Sequence, residues 1–272
     1  DVLSFDLWQL TQHGPAEVLG QTENTQPALL TASVALWNAL QERRAEPLNV
    51  QAMAGHSLGE YSALVCAGAI SFADGVRLVR KRGELMQQAV PNGEGGMAAI
   101  LGLDDATVQE CCAAVSGVVA AANYNAPGQI VIAGAKSAVT AAIDACKQAG
   151  AKRALALNVS GPFHSPLMEP AAEEFAAVLS EIPVLMPQIP VVQNVDAKVA
   201  ADVQEIRSKL VSQLSAPVRW TETIEHLLSA GAEQFIEAGP GNVLCGLVKR
   251  IARGTSAIAL SSQEDLELVA GM

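Results

Sequence analysis

The middle of the chain carries short apolar runs separated by segments with helical spacing. Apolar positions at 97–101 predict a strand, 106–115 a helix, 118–122 and 129–133 two strands, 137–149 a second helix and 153–159 a closing strand. This β-α-β-β-α-β order is that of a ferredoxin-like unit, whose ends lie close enough together for it to sit as an insertion in a larger domain. Gly93 to Gly96 and Ser160-Gly161-Pro162 form turn-rich junctions on either side, which bounds a small domain at 93–159. The flanks, 1–92 and 160–272, predict one α/β domain with an apolar run at 50–54, further buried strands at 190–195 and 234–237, and a helix at about 73–90.

Composition agrees with helices packed on sheets. Hydrophobic residues make up 50% of the 272 positions but aromatic ones only 4%, so Ala, Val and Leu must fill the interior. No apolar run is long and charge-free enough to span a bilayer, and the opening Asp1-Val2-Leu3-Ser4-Phe5-Asp6 has no basic region ahead of an apolar stretch. A cytoplasmic protein without membrane attachment is the expectation. The five cysteines are odd in number and share no metal-ligand spacing with the four histidines, which predicts reduced, mostly buried thiols and no metal site. A net charge of −11 without a basic stripe argues against nucleic acid. Anionic partners would have to meet a local basic cluster: Arg80-Lys81-Arg82, Lys152-Arg153, or Lys249-Arg250 with Arg253.

The run at 50–54 and the helical stretch from Glu60 bracket Gly55-His56-Ser57-Leu58-Gly59. That is a nucleophile elbow pattern, in which a serine at a sharp strand-to-helix turn is pushed into the open and flanking glycines permit the crowded backbone. The helix N-terminus then aims free N–H groups at an oxyanion formed above the serine. Ser57 needs a base. His13 and His226 read as surface residues, and His56, adjacent in sequence, as scaffold. His164 follows a strand and a turn, just ahead of Ser165-Pro166, which reads as an N-cap and first helical residue. A helix N-terminus disfavours imidazolium and would keep the ring able to accept the serine proton. The alternative is a turn histidine with satisfied hydrogen bonds. Asp74, Asp104, Asp105 and Asp144 lie between Ser57 and His164 but on helix starts or faces, and Asp196 comes after His164, so the pattern predicts a dyad rather than a triad.

Arg82 has Leu78, Val79, Leu85 and Met86 as its helical neighbours, which puts a guanidinium in the middle of an apolar stripe. Such a charge needs a permanent partner or an anionic ligand, and a guanidinium grips a carboxylate by two parallel hydrogen bonds. A structural ion pair or a snorkelling side chain is the competing reading.

With Ser57, Arg82 and His164 assembled, the chain resembles malonyl-CoA:acyl carrier protein transacylases over nearly its whole length. The matching strings are Thr25-Gln26-Pro27-Ala28-Leu29-Leu30, 54–64 around the elbow, Lys81-Arg82-Gly83, Asn123-Tyr124-Asn125-Ala126-Pro127-Gly128-Gln129, His164, and Glu237-Ala238-Gly239-Pro240-Gly241. The resemblance implies an α/β-hydrolase-like large domain with an inserted ferredoxin-like small domain. It implies acylation of Ser57 by malonyl-CoA, His164 as base and then acid, and Arg82 on the malonyl carboxylate. It further implies that the main-chain carbonyl of Gln213 orients His164, that Gln26 and Asn125 line the pocket, and that the Leu58 amide is one oxyanion donor. Malonyl-CoA and acyl carrier protein are the implied partners, with no cofactor, no metal and a monomer as the default state.

Members of that family carry a Gly-Gln-Gly-Ser loop after a first strand, whose glutamine amide is the second oxyanion donor. The sequence given has no such segment and starts without Met, so it reads as short at its N-terminus. Two other functions therefore compete: a serine thioesterase or esterase, in which water takes the acyl group, and an inactive module that binds the carrier protein. A buried Arg82 argues against the first, since a simple apolar acyl group has no use for it.

Overall fold

The computed structural model describes residues 2–46 and 48–272. The chain opens on three helices, α1 (Leu7–His13), α2 (Ala16–Leu19) and the long α3 (Thr22–Glu42), and then enters β1 (Met53–Ala54), α4 (Leu58–Cys66) and α5 (Phe72–Gln88). Helix α5 starts at an N-cap in which Ser71 Oγ accepts from the Asp74 amide at 3.1 Å. It lies directly on α3 because residue 83 is glycine: a Cβ there would stand 2.5 Å from Glu23 Cα. That close approach carries the neighbouring Arg82 into the interior.

The middle segment folds as β2 (Gly95–Leu101), α6 (Asp105–Ala113), β3 (Val119–Ala126), β4 (Gln129–Ala135), α7 (Lys136–Gln148) and β5 (Arg153–Ala156). Its strands pair antiparallel in the order β3-β4-β2-β5, the ferredoxin-like arrangement. Ala98, Ile100, Ile130 and Ile132 on one face of the sheet pack with Val108, Val139 and Ile143 of the two helices, a core of its own. The two connections to the rest of the chain touch: a Cβ at Gly95 would meet Pro162 Cδ at 2.4 Å.

A single 3₁₀ turn (Pro166–Met168) leads back through α8 (Glu169–Ser180), β6 (Val191–Gln193), β7 (Lys198–Val199), α9 (Val203–Ser212) and α10 (Trp220–Ser229). The chain then passes β8 (Gln234–Glu237), α11 (Val243–Ile251), β9 (Ser256–Ala259) and α12 (Gln263–Ala270). β1 pairs parallel with β6, which pairs antiparallel with β7, while β8 and β9 form a parallel pair. Leu30, Leu64, Leu78, Met168, Phe175 and Leu210 belong to the large core among α3, α4, α5, α8 and α9.

Several expected boundaries move, each for a physical reason. Only Met53 and Ala54 of the apolar run at 50–54 are paired, because opposite them β6 is preceded by Pro190, which has no N–H to extend the ladder. β3 continues past 122 through Asn123, Tyr124 and Asn125, where two register shifts let a polar segment keep pairing. β5 stops at Ala156 rather than 159. β8 is half-exposed rather than buried, since among the described residues it has a strand partner on one side only.

Candidate active site

Ser57 sits at the end of β1 and start of α4 with φ 52° and ψ −108°, a conformation that side-chain-bearing residues rarely adopt. Gly55 makes the turn possible: a Cβ there would fall 1.9 Å from the Gly59 carbonyl carbon. Gly59 does not share this duty, contrary to the expectation for both flanking glycines. A Cβ at 59 would meet nothing within 4 Å, because that position faces outward from the first turn of α4. Asn194, just after β6, staples the turn from below: its Oδ1 accepts from the Ser57 amide at 2.6 Å and its Nδ2 donates to the Gly55 carbonyl at 2.7 Å. The Leu58 amide, first in α4, donates to no acceptor among the described residues and is free for an oxyanion.

Ser57 Oγ and His164 Nε2 are 2.7 Å apart, and His164 Nδ1 lies 2.7 Å from the main-chain oxygen of Gln213. The second contact fixes the tautomer: Nδ1 carries the proton donated to the carbonyl, leaving Nε2 to accept from the serine. His164 is buried, with φ 58°. Its pKa is pushed down to about 3, first by burial and then by the Arg82 charge, against the opposing hydrogen bond to Gln213. The ring is neutral for these reasons and not because of a following helix N-terminus, as the sequence pattern had it. Ser165 heads only a three-residue 3₁₀ turn, and its hydroxyl bonds back to the Pro162 carbonyl at 2.6 Å.

Arg82 is 1% exposed and makes no ion pair among the described residues. Nη1 donates to Gln26 Oε1 at 2.7 Å, and Nη2 donates to Gln213 Oε1 at 2.9 Å and to Ser57 Oγ at 3.2 Å. The guanidinium stacks 5.2 Å from the Tyr61 ring centroid. Its Nε is buried with no acceptor among the described residues. Burial lowers the Arg82 pKa, with Tyr61 and Glu60 opposing, but a guanidinium stays charged. Arg80 and Lys81 beside it do not form a free basic surface, since Glu84 takes both, at 2.9 and 3.3 Å.

His56 is held aside from the Ser57 hydroxyl, with Nε2 at 2.8 Å from Asn125 Oδ1 on β3 and its ring tilted against Trp220. Asn125 thus contacts the elbow's neighbour. His13 and His226 are exposed.

The elements that bring these groups together also bring two residues that the sequence reading passed over, Glu60 and Asn194. Glu60, on the first turn of α4, is fully buried, and its Oε2 accepts from the Asn194 amide and from Gln213 Nε2, both at 2.8 Å. Burial pushes its pKa up to about 7 against those hydrogen bonds. The signal was present: like Arg82, it is a charge flanked by Tyr61, Ala63 and Leu64 in an apolar helix. Asn194 had no comparable signal, because one amide at a strand end looks like any other. A separate cavity of about 540 Å³ near the 3₁₀ turn is bordered by Glu94, Glu169 and Glu173 and holds none of these groups.

An activated serine, a neutral base and a buried guanidinium within reach of the hydroxyl suit transfer of an acyl group that carries negative charge. The acyl transferase domain family matches residues 1–266. A malonyl CoA-acyl carrier protein transacylase of Salmonella typhimurium is 56% identical over 261 residues, covering 95% of this chain and 84% of the relative. This chain belongs to the malonyl CoA-acyl carrier protein transacylase family. The transacylase of Bacillus subtilis is 48% identical over 98% of the chain and 84% of its own length. Among solved structures, the Coxiella burnetii transacylase superposes with a TM-score of 0.96 at 47% identity, covering 99% of this chain and 85% of that one. A malonyl-transacylase solved in complex with a type II polyketide synthase acyl-carrier protein gives the same TM-score at 52% identity, covering 100% and 88%. The transacylase fold is therefore the fold of this chain, and the chain is an acyltransferase.

Proposed function

We propose that this protein moves the malonyl group from malonyl-CoA to the phosphopantetheine thiol of acyl carrier protein through a malonyl ester of Ser57. The observation that carries this reading is Arg82, a buried guanidinium 3.2 Å from the serine hydroxyl whose Nε–H has no acceptor among the described residues. Nε and Nη2 lie on one edge of the guanidinium, and that edge is the one a carboxylate grips with both oxygens.

In the first half-reaction Ser57 Oγ attacks the thioester carbon as its proton passes to His164 Nε2. The carbonyl oxygen becomes an oxyanion beside the Leu58 amide. The carbon–sulfur bond then breaks, and His164 returns the proton to the CoA thiolate. The second half runs in reverse with the carrier thiol as nucleophile, His164 taking its proton and giving it back to Ser57. Gln213 orients the imidazole through its carbonyl, and Gln26 helps to hold Arg82. The chemistry needs neither metal nor bound cofactor. Residues 93–159 act as a small domain inserted between 1–92 and 160–272, with Asn125 reaching from it to His56 beside the nucleophile.

Hydrolysis of a neutral acyl ester or thioester is disfavoured because it would leave the Arg82 charge buried for nothing. A silent carrier-binding module is disfavoured by the 2.7 Å Ser57–His164 contact. Intact mass spectrometry after brief exposure to malonyl-CoA or acetyl-CoA tests the reading. A malonyl adduct that vanishes in Ser57→Ala and loses its preference over acetyl in Arg82→Ala supports it. No adduct from either donor overturns it.

A further inference from the structure

Among the described residues, Glu60 is the one buried carboxylate next to the acyl site, and the transfer chemistry leaves it unused. It is separated from Arg82 by a single side-chain amide: Gln213 donates through Nε2 to Glu60 Oε2 at 2.8 Å and accepts at Oε1 from Arg82 Nη2 at 2.9 Å. The free site thus holds one buried cation and one buried anion, joined by an amide whose orientation each of them dictates. A malonyl group brings a second carboxylate into the same enclosure. With Glu60 ionised the enclosure would then carry a net negative charge away from water, which is strongly unfavourable.

We propose that Glu60 is a positioning residue for the carboxylated acyl group and takes up one proton as that group docks on Arg82. The inference rests on the reading of Arg82 as the seat of the acyl carboxylate. Glu60 starts out poised for the exchange, since burial has already moved its pKa to about 7. The ionisable groups that face it are Arg82 from α5 and the adjoining Tyr61 of α4; β6 and the end of α9 present only the amides Gln193, Asn194 and Gln213. The proton, drawn from solvent, goes to Oε1, because Oε2 already accepts two N–H groups. An acceptor for it is at hand. Gln193 Nε2 now donates to Glu60 Oε1 at 3.2 Å and to the Ile206 carbonyl at 3.5 Å, while Gln193 Oε1 is buried with no donor among the described residues, so a half-turn of that amide gives up the longer bond to Ile206 and presents its oxygen to the new O–H. The Asn194 and Gln213 bonds survive, and Gln213 keeps its carbonyl oxygen on Arg82.

Binding calorimetry on Ser57→Ala, which cannot be acylated, tests this with malonyl-CoA and acetyl-CoA in buffers of different ionisation enthalpy from pH 6 to 8.5. The acetyl-CoA titration subtracts protons exchanged by the CoA phosphates. The expected result at pH 8 is an excess uptake of about one proton for malonyl-CoA, with its affinity falling about tenfold per pH unit above neutrality while that of acetyl-CoA stays level. Adding Glu60→Gln, which keeps the shape and removes the titration, should abolish both effects. If that variant does not fold, the malonyl-minus-acetyl pH slope of the Ser57→Ala protein decides alone. Malonyl-CoA binding without excess uptake overturns the inference and leaves the proposed function standing. Uptake that persists in Glu60→Gln assigns the proton to His164 and also overturns it. Failure of malonyl-CoA to bind more tightly than acetyl-CoA at any pH overturns the proposed function and this inference together.

Discussion

Arg82 Nη2 donates to Ser57 Oγ across 3.2 Å, so a permanent positive charge touches the hydroxyl that is to carry the acyl group. In the free protein that contact helps to satisfy a buried guanidinium. In the proposed transfer that contact is released, because Oγ would become the nucleophile and the incoming carboxylate would take over the guanidinium edge.

Replacing Arg82 by alanine should therefore lower kcat/KM for malonyl-CoA by about 100-fold or more, the usual scale for losing a buried charge-assisted pair. Transfer from acetyl-CoA should change far less. Arg82→Lys should not restore the preference, because a point charge lacks the planar two-donor edge. Equal losses for both donors would show that Arg82 serves only the fold.

The two elbow glycines should behave oppositely. Gly55→Ala drives a Cβ to within 1.9 Å of Gly59 backbone, so the turn must open and acylation of Ser57 should disappear along with much of the stability. Gly59→Ala meets nothing within 4 Å and has ordinary φ, and should be neutral or add about 0.4–1 kcal/mol by narrowing the unfolded ensemble. Thermal melts and adduct mass on the two variants check this.

His164, held neutral down to about pH 3, predicts that acetyl-CoA acylation of Ser57 does not fall as pH drops from 7 to 5. The same shift has a cost in stability. Between pH 6.5 and 3 the unfolded chain binds a proton at this histidine that the folded chain refuses, so this contribution declines as pH falls through that window. Glu60 acts in the opposite sense. Its folded pKa of about 7 lies above the ordinary 4.5, so the folded chain binds the extra proton and its contribution declines as pH rises from 4.5 to 7. Glu60→Gln should flatten only this second trend, as read by urea midpoints across pH 4–8.

Gln213→Ala keeps the carbonyl that holds His164 Nδ1 but removes the amide that bonds Arg82, Glu60 and the Ser57 carbonyl. We expect a stability loss of about 1–3 kcal/mol from the stranded buried groups. Malonyl transfer should suffer more than acetyl transfer, since the cationic side of the site is loosened while the base stays oriented. The ratio of the two kcat/KM values is the measurement.

Much of the architecture was legible along the chain because it is local. The period of apolar residues gave the β-α-β-β-α-β middle segment nearly element by element, and helix α5 within two residues at each end. Where polar residues took over, as at Asn123 to Asn125, the pattern ended and the strand did not, since backbone hydrogen bonds do not read side chains. Gly83 shows the opposite case: nothing local marks it, and only its contact with α3 explains why a side chain is excluded there.

The sequence by itself determined the candidates: a serine in a strand-to-helix turn, a histidine ahead of Ser165-Pro166, an arginine among apolar neighbours, and the string of motifs that the transacylase family shares. Each is a property of a few adjacent residues. The tertiary structure alone decided how they meet. Ser57 and His164 are 107 positions apart, and Arg82 and Gln213 131 apart, so their contacts depend on how helices and sheets pack. Burial lowered the pKa of His164, raised that of Glu60 and enclosed Arg82 with no carboxylate partner among the described residues, because the energy of a charge depends on the water removed from around it, and that is set only when the whole chain has folded.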